Sequence, residues 1–287
     1  MKGKRNNQKI LITKASGEKT TFSSDKLRHS LHRSGAEENT ISEIIRDVQK
    51  NLYDNISTKK IYQLAFGLLK KQSRHSAARY KLKQAIMELG PSGFPFEKYI
   101  AEILKHQGYK VKVGEIVKGH CVNHEIDVIA EKENHHFMIE CKFHNLPGTN
   151  CDVKIPLYIQ ARFKDVEHQW KNIPGHGSKS HQGWVVTNTK FTGDAIQYGL
   201  CVGLHLLGWD FPNGNSLREQ IDSSGLYPLT SLTFLTLHEK QFLLNKKIVL
   251  CKEICSNPSL LSIAQIPAHR KKAIMNEAAI LCKGIHQ

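Results

Sequence analysis

The sequence lacks any uninterrupted apolar run of the ~20 residues that a membrane-spanning helix needs; its longest, around Leu200–Leu207, falls far short. No membrane association is expected. Cysteine is sparse and odd in number: seven residues without a repeating frame suit reduced thiols in a cytoplasm, not a disulfide scaffold. Proline and glycine, 9 and 20 of 287 residues, are too few for a collagenous or low-complexity chain. The basic opening stretch MKGKRNNQK is not followed by the apolar core of a signal peptide, so export is not expected. An intact phosphate loop is missing as well. Gly175-His176-Gly177-Ser178-Lys179-Ser180 breaks the Gly-Lys-Ser/Thr order and reads as a surface loop.

Acidic side chains are in deficit. Forty-one Lys+Arg against 26 Asp+Glu leave a formal charge of +15, which points to a polyanionic partner such as nucleic acid or nucleotide phosphate. The excess sits at the ends: residues 1–90 carry 19 basic and 8 acidic groups, residues 91–222 carry 14 and 15, and residues 223–287 carry 8 and 3. The near-neutral middle holds 10 of the 16 histidines. Chemistry is expected there, and phosphate binding at the flanks.

At about 150 residues per domain, this length predicts more than one unit. Ile10–Ile12 and Thr20–Phe22 read as a β-hairpin turning at Gly17. Helical patterns follow at 24–34, 40–51, 57–71 and 75–89; the third has Ser57 as N-cap and a stripe of Ile61, Leu64, Ala65, Leu68 and Leu69. Gly90-Pro91-Ser92-Gly93 marks a boundary. Beyond it the pattern gives a helix at 95–107, strands at 109–117, 125–130 and 137–142, a helix at 156–171, a strand at Trp184–Thr187, a helix at 192–200 and a strand at 202–208. Such alternation predicts an α/β sheet of mixed direction. The last 60 residues read as a small helical region built on Ile263, Ile266, Ile274 and the 277–281 stretch. The division is therefore 1–90, 91–222 and 223–287.

The strand pair holds the chemical candidates. Glu140 and Lys142 share one face of their strand by the two-residue period. A hairpin turning about Glu133-Asn134 opposes residues whose numbers sum to 267, which sets Asp127 across from Glu140. Two carboxylates so placed destabilise a sheet unless a cation bridges them. Oxygen ligands suit Mg²⁺ or Mn²⁺. Lys142 beside the cation can orient a water and offset charge at phosphorus, and Glu97 lies at the edge of the Phe96, Ile100, Ile103, Leu104 helix stripe.

Those residues carry a resemblance. Gly93-Phe94-Pro95-Phe96-Glu97, Leu104 through Gly108-Tyr109-Lys110-Val111, Glu125-Ile126-Asp127-Val128-Ile129-Ala130 and Ile139-Glu140-Cys141-Lys142 together resemble the PD-(D/E)XK nuclease fold in its Mrr-like restriction endonuclease branch, over about residues 91–210. The resemblance implies that Glu97, Asp127 and Glu140 coordinate Mg²⁺ and, with Lys142, drive phosphodiester hydrolysis. It also makes Gln160 the candidate for the glutamine that often follows the Glu-x-Lys strand. No proline precedes Asp127, a departure from the family pattern.

Residues 9–90 resemble the ATP-cone, a nucleotide-sensing domain, on Ile12-Thr13-Lys14-Ala15-Ser16-Gly17, Phe22-Ser23-Ser24-Asp25-Lys26-Leu27, Ile56-Ser57-Thr58-Lys59-Lys60-Ile61 and Ala77-Ala78-Arg79-Tyr80. The resemblance implies phosphate contacts from Lys14 and Lys26, with Ile12, Phe22, Leu27, Thr58 and Ile61 around base and sugar of ATP or dATP. Ala15 and Ser16 replace the usual Arg and Asp of the hairpin.

Three patterns stay open. Cys121-x-x-His124 with His135, His136, Cys141 or His144 has the residue types of a zinc site but no second pair at ligand spacing. Tyr158, Arg162 and Asp165 share a helix face, either toward DNA or for an ion pair. Residues 263–272 end in a basic helix start that contacts phosphate or solvent. The whole reads as a multidomain α/β protein: a hairpin-plus-helix ATP-cone, a mixed-sheet nuclease domain and a helical C-terminal region. The implied function is a nucleotide-regulated, Mg²⁺-dependent DNA endonuclease of prokaryotic restriction or defence, cytoplasmic and assembled as a dimer or larger. A non-catalytic, nucleotide-responsive DNA-binding protein and an RNA nuclease are its rivals.

Overall fold

The computed structural model describes residues 10–174 and 179–283, and the broken phosphate-loop pattern at Gly175–Ser178 and the basic residues 1–9 lie outside them. The chain divides into two compact units, Met1–Lys83 and Gln84–Gln287. Among the described residues no helix is long and apolar enough to cross a membrane.

In the first unit, β1 (Leu11–Thr13) pairs antiparallel with β2 (Lys19–Thr21), Thr13 opposite Lys19. The turn between them uses Gly17 at φ 84°, a conformation side chains resist. Helices α1 (Ser24–Arg33) and α2 (Glu38–Lys50) follow, α1 capped by the Ser23 hydroxyl, which accepts from Lys26 N at 3.3 Å. A strand not expected from the sequence, β3 (Ile56–Ser57), pairs parallel with β1 and sets Ile56 opposite Ile12; two residues carry no legible period. Ser57 then caps α3 (Thr58–Gln72), whose Ile61, Ala65 and Leu69 are buried as the stripe predicts. The helix expected over 75–89 is two helices, α4 (Arg74–Tyr80) and α5 (Leu82–Met87). Buried positions at Ala77, Ala78, Leu82, Ala85 and Ile86 run through both pieces, which is why the sequence reads as one. Leu31, Ile41, Ile44, Val48, Ile56, Ala65 and Leu69 make the core of this unit.

The second unit is built on a mixed sheet. Its elements are α6 (Phe94–His106), β4 (Lys110–Lys118), β5 (Asn123–Lys132), β6 (His135–Lys142), β7 (Asn150–Cys151), α7 (Lys154–Lys171), β8 (Ser180–Thr187), β9 (Lys190–Phe191), α8 (Gly193–Cys201) and β10 (His205–Leu207). The sheet order is β10-β8-β6-β5-β4, with β4, β5 and β6 antiparallel and β6, β8 and β10 parallel. Short β7 and β9 pair separately. The final sheet strand is shorter than the 202–208 of the sequence pattern, because Val202 and Gly203, at φ 77°, form the turn out of α8. Ile159, Phe163, Val166 and Trp170 of α7 join Met138, Val185, Ala195 and Leu206 in the sheet's core.

The same unit continues through α9 (Leu217–Ser224), a 3-10 turn (Leu229–Ser231), α10 (Leu237–Asn245), α11 (Cys251–Ser256), α12 (Leu260–Ile263) and α13 (Ala268–Leu281). Ile266, Ile274 and Leu281 are buried as their spacing predicts, but Ile263 is exposed at the end of α12. These elements hold the segment that leads into α6. Thr230 Oγ1 donates to the Ala85 carbonyl at 2.6 Å, buried Lys240 Nζ reaches Glu88 Oε2 at 3.1 Å, and Gln241 Nε2 donates to the Gly90 carbonyl at 3.4 Å. From the other side, Asn145 Nδ2 donates to the Pro91 carbonyl at 3.2 Å.

Glu277 on α13 is 1% exposed and closes the chain ahead of α10. Its carboxylate accepts from Thr233 N at 2.9 Å, Thr233 Oγ1 at 2.6 Å and Phe234 N at 3.2 Å. Removing that acceptor strands partly buried donors beside an emptied buried site, a loss of about 2–4 kcal/mol. Glu277→Ala is expected to lower the urea midpoint accordingly and Glu277→Gln to lower it less; equal stability of wild type and Glu277→Ala would refute the role.

Candidate functional site

The β5–β6 register matches the turn at Glu133-Asn134: Val128 faces Ile139 and Ala130 faces Phe137. The regular ladder ends at Val128, one step before Asp127 and Glu140. On the other flank the β4–β5 pairing skips Gly114 against Asp127, and Gly114 has φ 67°, in the left-handed region. Asp127 is thus freed from both neighbours. Its Oδ2 instead accepts from Cys141 N at 2.7 Å, tying the carboxylate to the strand that carries Glu140 and Lys142.

Glu97 comes from the first turn of α6, whose Phe96, Tyr99, Ile100, Ile103 and Leu104 are buried. Its Oε1 lies 3.0 Å from where a Cβ on Gly93 would stand, so the residue before the helix has little room for a side chain. Arg162, from α7, donates Nη1 to Glu140 Oε2 at 2.6 Å and Nη2 to the Glu125 carbonyl. Gln160, on the same helix, keeps its buried Oε1 without a hydrogen-bond partner. Lys142 is exposed at the end of β6.

The carboxylates act on one another. Burial, and then the charges of Asp127, Glu140 and Glu125, push the Glu97 carboxyl up to about 7. Burial and the Asp127 charge push Glu140 up to about 7 as well, against the opposing effect of Arg162 and Lys142. Asp127 is also raised, chiefly by burial, while the Cys141 amide, Arg162 and Lys142 pull the other way. Three half-buried acids whose negative charges oppose each other attract a cation.

Their oxygen-only donors suit a hard divalent ion. Among the described residues no group of three or more His, Cys, Asp or Glu side chains is arranged to hold a metal ion. The fit to Mg²⁺ therefore rests on one or two carboxylates completed by substrate phosphate and water, the usual arrangement for that ion.

The zinc pattern is spent on other bonds. His124 Nε2 lies 2.7 Å from Asp165 Oδ2, and Asp165 also accepts from Cys121 N at 2.7 Å. The His124 hydrogen bond leads in holding the Asp165 carboxyl well below the carboxylate range. Cys141 is buried, His136 stacks on Trp170 with ring centres 4.1 Å apart, and His144 Nδ1 meets Thr189 Oγ1 at 2.9 Å. Of the shared helix face, Arg162 pairs with Glu140 and Asp165 hydrogen-bonds His124, both off the helix, whereas Tyr158 is 61% exposed.

In the N-terminal unit a cavity of about 250 Å³ is lined by Ile12, Lys14, Phe22, Lys26, Leu27, Thr58 and Ile61, the full set implied for nucleotide binding. Sequence reasoning missed Ser30 and Tyr62, which also line it, and Tyr80 was noted only as part of a motif. Tyr62 and Tyr80 stack with ring centres 5.2 Å apart at 7°, and burial pushes the Tyr80 hydroxyl up to about 12. The wall is apolar and aromatic. Lys26 is exposed, and Lys14 pairs with Glu18 at 2.9 Å on the surface.

Comparison with known proteins assigns three domains along the chain. An ATP cone domain matches residues 10–85, a restriction endonuclease domain residues 91–207, and an "AF1548-like, C-terminal" domain residues 227–282. An uncharacterized protein of Archaeoglobus fulgidus is 39% identical over 160 residues, which cover 55% of this chain and 84% of the relative. The crystal structure of AF1548, a protein of unknown function, superposes with a TM-score of 0.55 at 33% identity, over 67% of this chain and 99% of that one.

The raised carboxyls set a pH dependence. Folded Glu97 and Glu140 hold protons that the unfolded chain releases near 4.5, so the stability they contribute is present below about 4.5 and is lost as pH rises to about 7. Relative to a Glu97→Gln/Glu140→Gln double variant, metal-free wild type is expected to lose stability across that window in urea titrations. A difference that stays flat or grows in wild type's favour would contradict the coupling.

Proposed function

Because the chain belongs to the AF1548-like family and joins an ATP-cone domain to a restriction-endonuclease domain, we propose that it is a nucleotide-regulated, divalent-cation-dependent DNA endonuclease. The observation that carries this reading is the meeting of Asp127, Glu140 and Glu97, from three elements, in one electrostatically coupled group beside Lys142. The reaction joins a water oxygen to phosphorus as a phosphoester P–O bond breaks.

Asp127 and Glu140 would hold Mg²⁺ or Mn²⁺, and Glu97 would join them directly or through water. The ion supplies a Lewis acid that offsets phosphoryl charge and makes water a better nucleophile. The Cys141 amide fixes the Asp127 carboxylate at 2.7 Å, so that ligand is in place before substrate arrives. Lys142, on the same strand face as Glu140, orients the attacking water and stabilises negative charge as it builds on the phosphate. Gln160, whose buried Oε1 has no hydrogen-bond partner, is the candidate for a further contact at the site.

The N-terminal cavity takes ATP or dATP. Its aromatic and aliphatic wall receives the base, Thr58 lies against the sugar, and Lys14 leaves the exposed Glu18 carboxylate to meet phosphate together with Lys26. No hydrolysing loop is needed for a sensor. Regulation requires only that nucleotide favour one state of the protein over another, through assembly as a dimer or larger. On this reading the protein serves prokaryotic restriction or defence in the cytoplasm.

Two experiments test this. Asp127→Ala and Glu140→Ala should each abolish Mg²⁺-dependent plasmid cleavage while gel-shift affinity for DNA persists; retained cleavage by either purified variant refutes the site, and preference for RNA in the same assay replaces the substrate. Calorimetry of the full chain should show ATP or dATP binding that Lys14→Ala and Lys26→Ala each weaken by roughly tenfold, about 1.4 kcal/mol apiece. Absence of binding at millimolar nucleotide would leave the basic N-terminal unit as a DNA contact.

A further inference from the structure

Arg162 occupies a ligand. Its Nη1 donates to Glu140 Oε2 at 2.6 Å, its Nη2 donates to the Glu125 backbone carbonyl, and its guanidinium carbon lies 5.4 Å from the centre of the Tyr158 ring. The pair is well shielded, with Arg162 12% and Glu140 21% exposed. Without a bound cation this guanidinium is a positive group in direct contact with the Glu140 carboxylate.

Glu140 Oε2 cannot serve both partners at full strength. A divalent ion on Glu140 would compete with Nη1 for the carboxylate's negative charge and would repel the guanidinium. The other two anchors survive that event, because a backbone carbonyl and an aromatic face are indifferent to metal on Glu140. Arg162 then stays at the site with a freed N–H edge, and a shielded charged donor without an acceptor is costly. Phosphate oxygens are the acceptors that a planar guanidinium matches best.

Resting on the nuclease reading, we infer that Arg162 is a catalytic residue that is held by Glu140 in the metal-free chain, is released when a divalent cation takes Glu140, and then donates to a non-bridging oxygen of the scissile phosphate. There it offsets charge as the water oxygen bonds to phosphorus and the ester oxygen leaves. The exchange orders the events: phosphate gains its arginine contact only at a loaded site.

Arg162→Met tests this with three readouts on the full chain. Mn²⁺ binding, followed by electron paramagnetic resonance, should be at least as tight as in wild type, since a repelling charge and a competing donor are gone. The slope of log DNA affinity against log salt should be shallower than wild type by about one in Ca²⁺ and equal to wild type in EDTA. Mg²⁺-dependent cleavage should fall roughly 100- to 1,000-fold, as when a transition-state donor is lost. Arg162→Lys, which keeps the charge but not the planar fork, should retain the Ca²⁺ slope and cleave at an intermediate rate; it also serves if the Met variant does not fold. Weaker Mn²⁺ binding, or equal slopes in both conditions, would make Arg162 a support for Glu140 and overturn the proposal. Full cleavage by Arg162→Met overturns it alone, whereas wild type that neither binds Mn²⁺ nor cleaves removes the nuclease reading and this inference with it.

Discussion

Repulsion among carboxylates at one end of a sheet is the constraint from which the rest of the catalytic unit follows. Glu97, Asp127 and Glu140 are gathered from a helix and two strands and are partly withdrawn from water, so burial resists the ionisation of all three, the charges of Asp127 and Glu140 oppose that of Glu97, and Asp127 opposes that of Glu140. A fold tolerates such a group only if compensating charge is at hand and the backbone is rigid enough to keep the acids from drifting apart. Arg162 and Lys142 supply the charge. The Cys141 amide and the apolar seat of α6 supply the rigidity.

The break in the sheet at Asp127 belongs to the same logic. A residue paired on both sides in a regular ladder has its backbone committed and its side chain fixed by the pleat. Here the pairing is interrupted on both flanks, and the carboxylate takes over an amide that the ladder would otherwise serve. The irregularity gives up ladder bonds and gains a fixed carboxylate, a common trade near functional sites.

Much of this is legible in the amino-acid sequence. The two-residue period put Glu140 and Lys142 on one face, and symmetry about Glu133-Asn134 gave the register that the strands adopt. The seven residues carried over for nucleotide binding line a single cavity, because hairpin, helix start and cap are local patterns that sequence encodes densely. What escaped were contacts between elements. Nothing in the spacing of Tyr158, Arg162 and Asp165 says that one reaches Glu140 and another His124, since helix periodicity fixes a face and not its opposite number. Likewise Tyr62 and Tyr80 read as ordinary helix aromatics; only the pairing of α3 with α4 brings their rings together. The ladder break was also hidden, although Gly114 in the middle of a strand was a usable sign.

The segment ahead of α6 bears on how such proteins can be recombined. Gly, Pro and Ser at residues 90–93 look like a hinge at which modules could be exchanged, and exposed linkers of that composition usually accept insertions. Yet the carbonyls of Ala85, Gly90 and Pro91 and the side chain of Glu88 are each engaged by groups from the C-terminal helices or from the loop after β6. An added residue there would have to break those bonds or turn α6 by about 100°, carrying Glu97 away from Asp127. A gene fusion that transplants another sensor onto this catalytic unit would therefore keep its junction upstream of Ala85 and retain the C-terminal helices, which act as the bracket on which the entering strand of polypeptide hangs.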